Sequence, residues 1–177
     1  MDNQIKIVFT DVDGVWTDGK LHYSENGIIF RSYSVLDGQG ASMLMKSGIV
    51  LVVLTGEDTP DIKKRFNDLK VKYLYTKLRN KLYIADEVLK KLNLSFADAA
   101  FIGDDLSDLP LIREVSFSAA PAGVSADVAN EVNVNLFRKG GEGAFREFAE
   151  MILKHNKVWD DYLENYMLRI SKRPDHG

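Results

Sequence analysis

The stretch IKIVFTDVDGV, residues 5–15, decides the fold. Its first part, Ile5 to Thr10, is a β-rich run that stops abruptly at Asp11, as a strand buried on both faces of a parallel sheet does. Two runs repeat the pattern. IVLVVL at 49–54 ends at Thr55-Gly56, and AAFI at 99–102 ends at Gly103-Asp104. Shorter strand candidates are Tyr73–Tyr75, Ser116–Ala119 and Asn133–Asn135. Between them, apolar residues recur at helical spacing in 38–47, 59–69, 80–92 and 143–155, with shorter segments at 107–114 and 125–130. Thr59 before Pro60 reads as a helix N-cap with proline at the first helical position. Strands alternating with helices predict an α/β, Rossmann-like doubly wound parallel sheet covered on both sides.

The segment 16–33 breaks the rhythm. Leu21–Tyr23 and Ile28–Tyr33 flank Ser24-Glu25-Asn26-Gly27, and Asn-Gly is a strong turn signal, so a β-hairpin flap is predicted directly after the first strand. Residues 157–177 read as a final helix and tail with Trp159, Tyr162, Leu163 and Tyr166 as its apolar stripe. No repeat or linker interrupts residues 1–177, which predicts one domain.

The composition narrows the chemistry. With 177 residues, 45% hydrophobic and 28% charged, the chain can bury a core without covalent staples. A net charge of −3 argues against nucleic acid or an anionic membrane as partner. No cysteine is present, and three scattered histidines are too few for a histidine-rich zinc site. No run approaches the about 18 apolar residues of a membrane span, and MDNQIKIVFT has neither the basic start nor the apolar core of a signal peptide. A cytoplasmic protein is the expectation.

Chemistry must then run on carboxylates, hydroxyls and lysines, and the placement of the carboxylates is the informative feature. Asp11, Asp13 and Asp18 follow the first strand; Asp104, Asp105 and Asp108 follow the third. In an open parallel sheet, ligands bind beyond the carboxyl ends of the strands. Both acidic clusters and the Thr55-Gly56 turn therefore fall on one edge. Carboxylates crowded together repel unless a cation neutralises them, and an all-oxygen site suits Mg²⁺. Taken singly, each aspartate also fits a turn or a helix cap, and the Asp-Gly pairs at 13–14, 18–19 and 37–38 are turn chemistry.

DVDGV at 11–15, LTG at 54–56, Lys81 and GDDLSD at 103–108 resemble the four ordered motifs of the haloacid dehalogenase (HAD) superfamily. DVDGVWTDG at 11–19, DGQG at 37–40 and KGGEGAFRE at 139–147 are further similar to the KDO-8-phosphate phosphatases and the related nonulosonate-9-phosphate phosphatases. The resemblance implies a phosphatase in which Asp11 is the nucleophile and Asp13 the general acid and base. It gives Thr55 and Gly56 a phosphoryl oxygen to bind, and Lys81 the phosphoryl charge to balance. It also implies Mg²⁺ held by Asp11, Asp104 and the backbone carbonyl of Asp13, with Asp105 and Asp108 in the outer shell.

Gly19 and Asp37, and likewise Gly56 and Lys81, are too close in sequence to admit a cap domain. The family solution to an uncapped site is a homotetramer in which neighbouring hairpins and tails cover it, and Trp16, Tyr23, Phe30 and Tyr33 give the flap apolar surface for that contact. The implied substrate is a sugar-acid phosphate. Arg31, Lys64, Arg65, Arg138, Lys139 and Arg146 are candidate partners for its anionic groups, though each also reads as a solvated surface charge. KDO-8-phosphate phosphatases usually carry a basic residue where this chain has Glu57, which favours substrate hydroxyls or an amine there. Eight-carbon and nine-carbon substrates stay open. So do a non-catalytic domain partnering a sugar-nucleotide synthetase and a receiver-like phosphoacceptor.

Overall fold

A computed structural model describes residues 4–23, 25 and 29–172. Six strands form one parallel sheet: β1 (Ile7–Thr10), β4 (Val50–Leu54), β5 (Tyr73–Tyr75), β6 (Ala99–Ile102), β7 (Phe117–Ala120) and β8 (Val134–Asn135). Their order is β5-β4-β1-β6-β7-β8, in register through pairs such as Val8 with Leu51 and with Ala100. The chain winds from β1 to one edge, then returns to β6 and winds to the other. The order thus reverses between β1 and β6, opening a crevice at their carboxyl ends.

Both faces are covered, which is why β1 reads as a continuous apolar run. Val8 points into one cluster with Trp16, Leu44, Phe66, Phe145 and Phe148. Ile7 and Phe9 point into the opposite one with Ala85, Val88, Leu89, Leu111 and Ile112. The first layer is built by α1 (Val35–Lys46), α2 (Pro60–Asp68) and α6 (Ala144–His155), the second by α3 (Lys81–Leu92), α4 (Leu109–Glu114) and the short α5 (Ala126–Ala129). Buried Asn156 closes the far end, accepting from the Ile5 amide and donating to the Ile5 carbonyl. The final helix, α7 (Trp159–Ser171), buries none of its residues fully.

Two readings of the sequence change here. The pair Asp37-Gly38, read as turn chemistry, lies inside α1, which begins at Val35 behind the N-cap Ser34, three residues ahead of the expected start. Its glycines serve packing: a Cβ on Gly40 would press on the Arg146 backbone of α6, and one on Gly38 on the Arg65 guanidinium. Asp37 caps another helix. The N-cap of α6 is Gly143, which has no side chain, and Asp37 Oδ1 supplies the missing acceptor to the Arg146 amide at 2.9 Å.

The second change concerns the flap. Its paired part is small, β2 (His22–Tyr23) against β3 (Ile29–Phe30), antiparallel. Ser24, Asn26 and Gly27 of the predicted turn lie outside the described residues. Trp16 does not belong to the flap. It is wholly buried, stacks on Phe145 at 4.3 Å, meets Phe66 edge-on at 4.9 Å and donates from Nε1 to Thr10 Oγ1 at 3.0 Å. A buried indole needs a partner for its N–H, and Thr10, the last residue of β1, provides it. Tyr23 and Phe30 do remain exposed.

Candidate functional site

The end of β1 turns away because Asp11 makes its last sheet bond, to the Ile102 carbonyl at 3.0 Å, and Gly14 takes φ +82°, open to glycine without strain. Close approach demands the same residue, since a Cβ on Gly14 would overlap the Asp104 carboxylate. Behind the turn lies the 139–143 loop: Gly141 donates to the Val15 carbonyl at 3.1 Å, and a Cβ on Gly140 would overlap the Gly14 carbonyl. The KGGEG glycines thus let one loop rest on the Asp13–Gly14 turn.

The crevice at the β1/β6 edge is a cleft of about 290 Å³ lined by Asp11, Asp13, Thr55, Lys81, Asp104 and Asp105, among others. Lys81 stands at the first position of α3, behind the N-cap Asn80, whose Oδ1 accepts from the Tyr83 amide. That start aims its ammonium between two carboxylates, 2.8 Å from Asp11 Oδ1 and 2.6 Å from Asp108 Oδ1. All three side chains are buried. Burial works to lower the Lys81 pKa, but Asp11 and Asp108 outweigh it and raise it above its ordinary value. Lys81 is therefore a fixed positive charge.

Asp11, Asp104 and Asp108 each offer an oxygen within 4.8 Å of the others. Burial raises the Asp11 pKa, countered by the charge of Lys81 and reinforced by Asp108. Asp104 is raised as well, by burial first and then by the charges of Asp11 and Asp108. Its Oδ1 is buried and has no hydrogen-bond partner among the described residues. Three carboxylates against one ammonium leave a deficit that a divalent cation matches, and an all-carboxylate donor set suits a hard ion. Asp11 and Asp104 have the geometry to hold it. Asp108 is already engaged: Oδ1 holds Lys81, while Oδ2 accepts from the amides of Asp104 at 3.0 Å and Asp105 at 3.3 Å. Gly103 is what lets it sit there, since a Cβ would reach Asp108 Oδ2 at 2.5 Å.

Thr55 is buried at the end of β4, and its Oγ1 accepts from the Glu57 amide at 3.1 Å. That leaves the hydroxyl hydrogen for a ligand oxygen. Gly56 and Glu57 line the same cleft, with the Glu57 side chain 47% exposed. Every residue named from the sequence as catalytic, metal-holding or phosphate-binding thus lies at or beside one cleft. Asp18 is the exception within the acidic run. It is exposed, pairs with Lys20 at 3.0 Å and borders a neighbouring hollow of about 420 Å³.

The basic candidates distribute differently. Lys64 pairs with Asp68, Arg65 donates to the Ser34 carbonyl, Arg138 donates to the Glu142 carbonyl and Arg146 pairs with Glu150. Lys139 borders the neighbouring hollow. Arg31, read as a surface charge, is buried against Asp13 at 2.6 Å. Arg79 and Ser107 also line the cleft, and neither has a role in the site assigned from the sequence. Arg79 sits among several lysines and carries no local signal, whereas Ser107 lies inside GDDLSD and was legible.

No family model matches the chain. It is 41% identical over 150 residues to the 3-deoxy-D-manno-octulosonate 8-phosphate phosphatase KdsC of Haemophilus influenzae, covering 85% of this chain and 83% of that one. The cobalt-bound form of the H. influenzae phosphatase superimposes with a TM-score of 0.84 at 40% identity, covering 88% and 91% of the two chains. The Moraxella catarrhalis enzyme, solved with magnesium, phosphate and KDO, superimposes with a TM-score of 0.88 at 31% identity over 92% and 93%. With that likeness over nearly the whole chain, and with Asp11, Lys81 and Asp104 assembled at the carboxyl edge of the sheet, the chain belongs to the 3-deoxy-D-manno-octulosonate 8-phosphate phosphatase family of the HAD superfamily.

Proposed function

We propose that the protein is a Mg²⁺-dependent phosphomonoesterase that hydrolyses a 2-keto-3-deoxy sugar-acid phosphate through an aspartyl-phosphate on Asp11. The observation that carries the reading is the buried Lys81–Asp11 pair beside the unpartnered Asp104 Oδ1. That is a nucleophile with one oxygen fixed, next to a site of unbalanced negative charge. Asp11 and Asp104, with the Asp13 carbonyl, would hold Mg²⁺, and Asp105 and Asp108 would stand around it. When bound, the ion screens the repulsion between Asp11 and an incoming phosphate.

The chain's own residues supply the remainder. Lys81 fixes Asp11 Oδ1 at 2.8 Å and faces the phosphoryl group with a permanent positive charge, worth most in a water-poor site. Thr55 and the Gly56 amide hold a phosphoryl oxygen. As the Asp11 carboxylate bonds to phosphorus, the bond to the sugar oxygen breaks and that oxygen takes a proton from Asp13. Water then attacks phosphorus, Asp13 takes its proton, and the bond to Asp11 breaks to release phosphate.

Two observations bear on the substrate. The Haemophilus influenzae relative acts, by name, on 3-deoxy-D-manno-octulosonate 8-phosphate, which supports the eight-carbon acid. Glu57 on the cleft wall, where KDO-8-phosphate phosphatases usually carry a basic residue, suits hydroxyls or an amine and keeps a nine-carbon 9-phosphate as the alternative. Arg79 lines the cleft beside Lys81, and with Lys81 committed to Asp11 and Asp108 it is the cation proposed to meet the substrate's carboxylate. Phosphate release with Mg²⁺ from both acids, hexose phosphates and nucleotides decides among them: a large kcat/KM preference for one ulosonate is the expected result. Asp11→Asn abolishes release from all of them, and full activity in that variant refutes the nucleophile.

A homotetramer belongs to the same proposal. Among the described residues no cap covers the cleft, while Tyr23 and Phe30 on the hairpin and Met167, Leu168 and Ile170 on α7 are exposed, apolar surface suited to a neighbouring copy. Sedimentation as a monomer at assay concentration would refute it. Among the described residues no helix is long and apolar enough to cross a membrane. A cytoplasmic site of action is proposed on the cysteine-free composition.

A further inference from the structure

Arg31 directly follows β3, yet its side chain is wholly removed from solvent. Three carboxylates meet it there. Nε donates to Asp13 Oδ1 at 2.6 Å; Nη1 donates to both oxygens of Asp61 at 3.2 Å and to Thr59 Oγ1 at 2.9 Å. Nη2 lies 3.4 Å from Asp13 Oδ2 and 3.6 Å from Glu57. The Tyr33 hydroxyl donates to Asp61 Oδ2 at 3.2 Å and steadies that partner.

A buried guanidinium is tolerated only when its donors are matched in this way, and the match draws on local structure. Thr59 stands at the N-cap of α2 but makes no side-chain cap bond; its oxygen serves Arg31 instead. Such an arrangement fixes whatever it holds, and what it holds in the cleft is Asp13. The two oxygens of Asp13 are not equivalent. Oδ1 takes the short bond from Arg31 and a long one from the Thr17 hydroxyl at 3.4 Å. Among the described residues, Oδ2 has only the 3.4 Å contact.

We propose that Arg31, seated on Asp61 and Thr59, is a positioning residue that pins Asp13 Oδ1 and leaves Oδ2 as the oxygen exchanging a proton with the substrate. The proposal rests on the phosphatase reading. In the first step the Asp11 carboxylate bonds to phosphorus, the bond from phosphorus to the leaving oxygen breaks, and the proton on Asp13 Oδ2 moves to that oxygen. A sugar alkoxide needs this proton to leave; p-nitrophenolate does not. Misplacing a catalytic group by about 1 Å costs about 10²-fold, within the 10²–10⁴-fold a general acid contributes. Loss of Arg31 must therefore depend on the leaving group.

The test compares kcat/KM, which reports formation of the aspartyl-phosphate, for the ulosonate phosphate the wild type prefers (KDO 8-phosphate or a nine-carbon 9-phosphate) and for p-nitrophenyl phosphate, with Mg²⁺. It uses the wild type, Arg31→Ala, Arg31→Lys and Asp61→Asn. The expected result is that Arg31→Ala lowers the sugar-phosphate value at least about tenfold more than the aryl-phosphate value. Arg31→Lys should recover part of the gap, and Asp61→Asn should open a smaller one. Equal losses on both substrates, or no loss, overturn the proposal, since a merely structural role lowers both alike. If Arg31→Ala does not fold, the same ratio in Arg31→Lys and Asp61→Asn decides. A wild type that hydrolyses neither p-nitrophenyl phosphate nor either ulosonate phosphate, eight-carbon or nine-carbon, overturns the phosphatase reading and this proposal with it, before any variant is compared.

Discussion

Replacing Lys81 by Met removes the one ammonium that neutralises two buried carboxylates. Its Nζ bonds Asp11 at 2.8 Å and Asp108 at 2.6 Å, and Asp108 has no exposed surface. Breaking a buried ion pair by deleting one partner costs about 3–5 kcal/mol, because the remaining charge is left desolvated. At about 2–4 °C per kcal/mol for a chain of this size, the melting temperature should fall by about 6–20 °C at neutral pH with metal chelated. The deficit must shrink on acidification. Burial already raises the Asp11 pKa, and Lys81 is the main influence lowering it; without Lys81 it rises further. The folded variant then holds protons that the unfolded chain has released. Stability is lost as pH rises through the raised folded value and regained below it. Urea unfolding in a chelator at about pH 5 and about pH 8, with the wild type alongside, measures both terms. A loss under about 1 kcal/mol at the higher pH, or one that grows on acidification, would refute the account of the Lys81 pair.

Asp37 gives a second pH signature. Burial pushes its carboxyl up from 3.8 to about 6, with the Arg146 amide working against the rise. Wild-type stability from this group therefore falls as pH climbs from about 4 to about 6, by at most about 3 kcal/mol. Asp37→Asn removes that slope while keeping an acceptor for α6, so parallel stability–pH curves would exclude the assignment. Gly14→Ala combines a left-handed backbone, costing about 1–3 kcal/mol for a residue with a Cβ, with overlap of Asp104. Thermal melting should show the strain, and phosphate release should need far more Mg²⁺ or vanish; an unchanged Mg²⁺ titration would contradict the packing described.

Much of this could be read along the chain because the signals are local. Strands buried on both faces read as apolar runs, and the abrupt stops at Asp11, Thr55 and Asp104 mark where backbone leaves the sheet. Asp-Gly at 37–38 misled for the opposite reason. Asp-Gly is turn chemistry only when its neighbourhood is a loop, and here Asp37 answers to a helix N-terminus more than a hundred residues away. Trp16 misled similarly, since an aromatic beside a hairpin looks like flap surface until Thr10 and Phe145 are placed around it.

The sequence by itself determined the alternation of strand and helix, the parallel sheet, the edge on which the carboxylates gather and the absence of room for a cap. Each follows from hydrophobic period, turn residues or spacing. Only the tertiary structure decided which charges leave water. Arg31 looks like any surface cation in sequence and only the motif resemblance sets Lys81 apart, because desolvation depends on the carboxylates that distant segments bring to them. Arg31 is buried because Asp13, Asp61 and Glu57 converge on it. Lys64 stays in solvent, paired with the exposed Asp68 of its own helix.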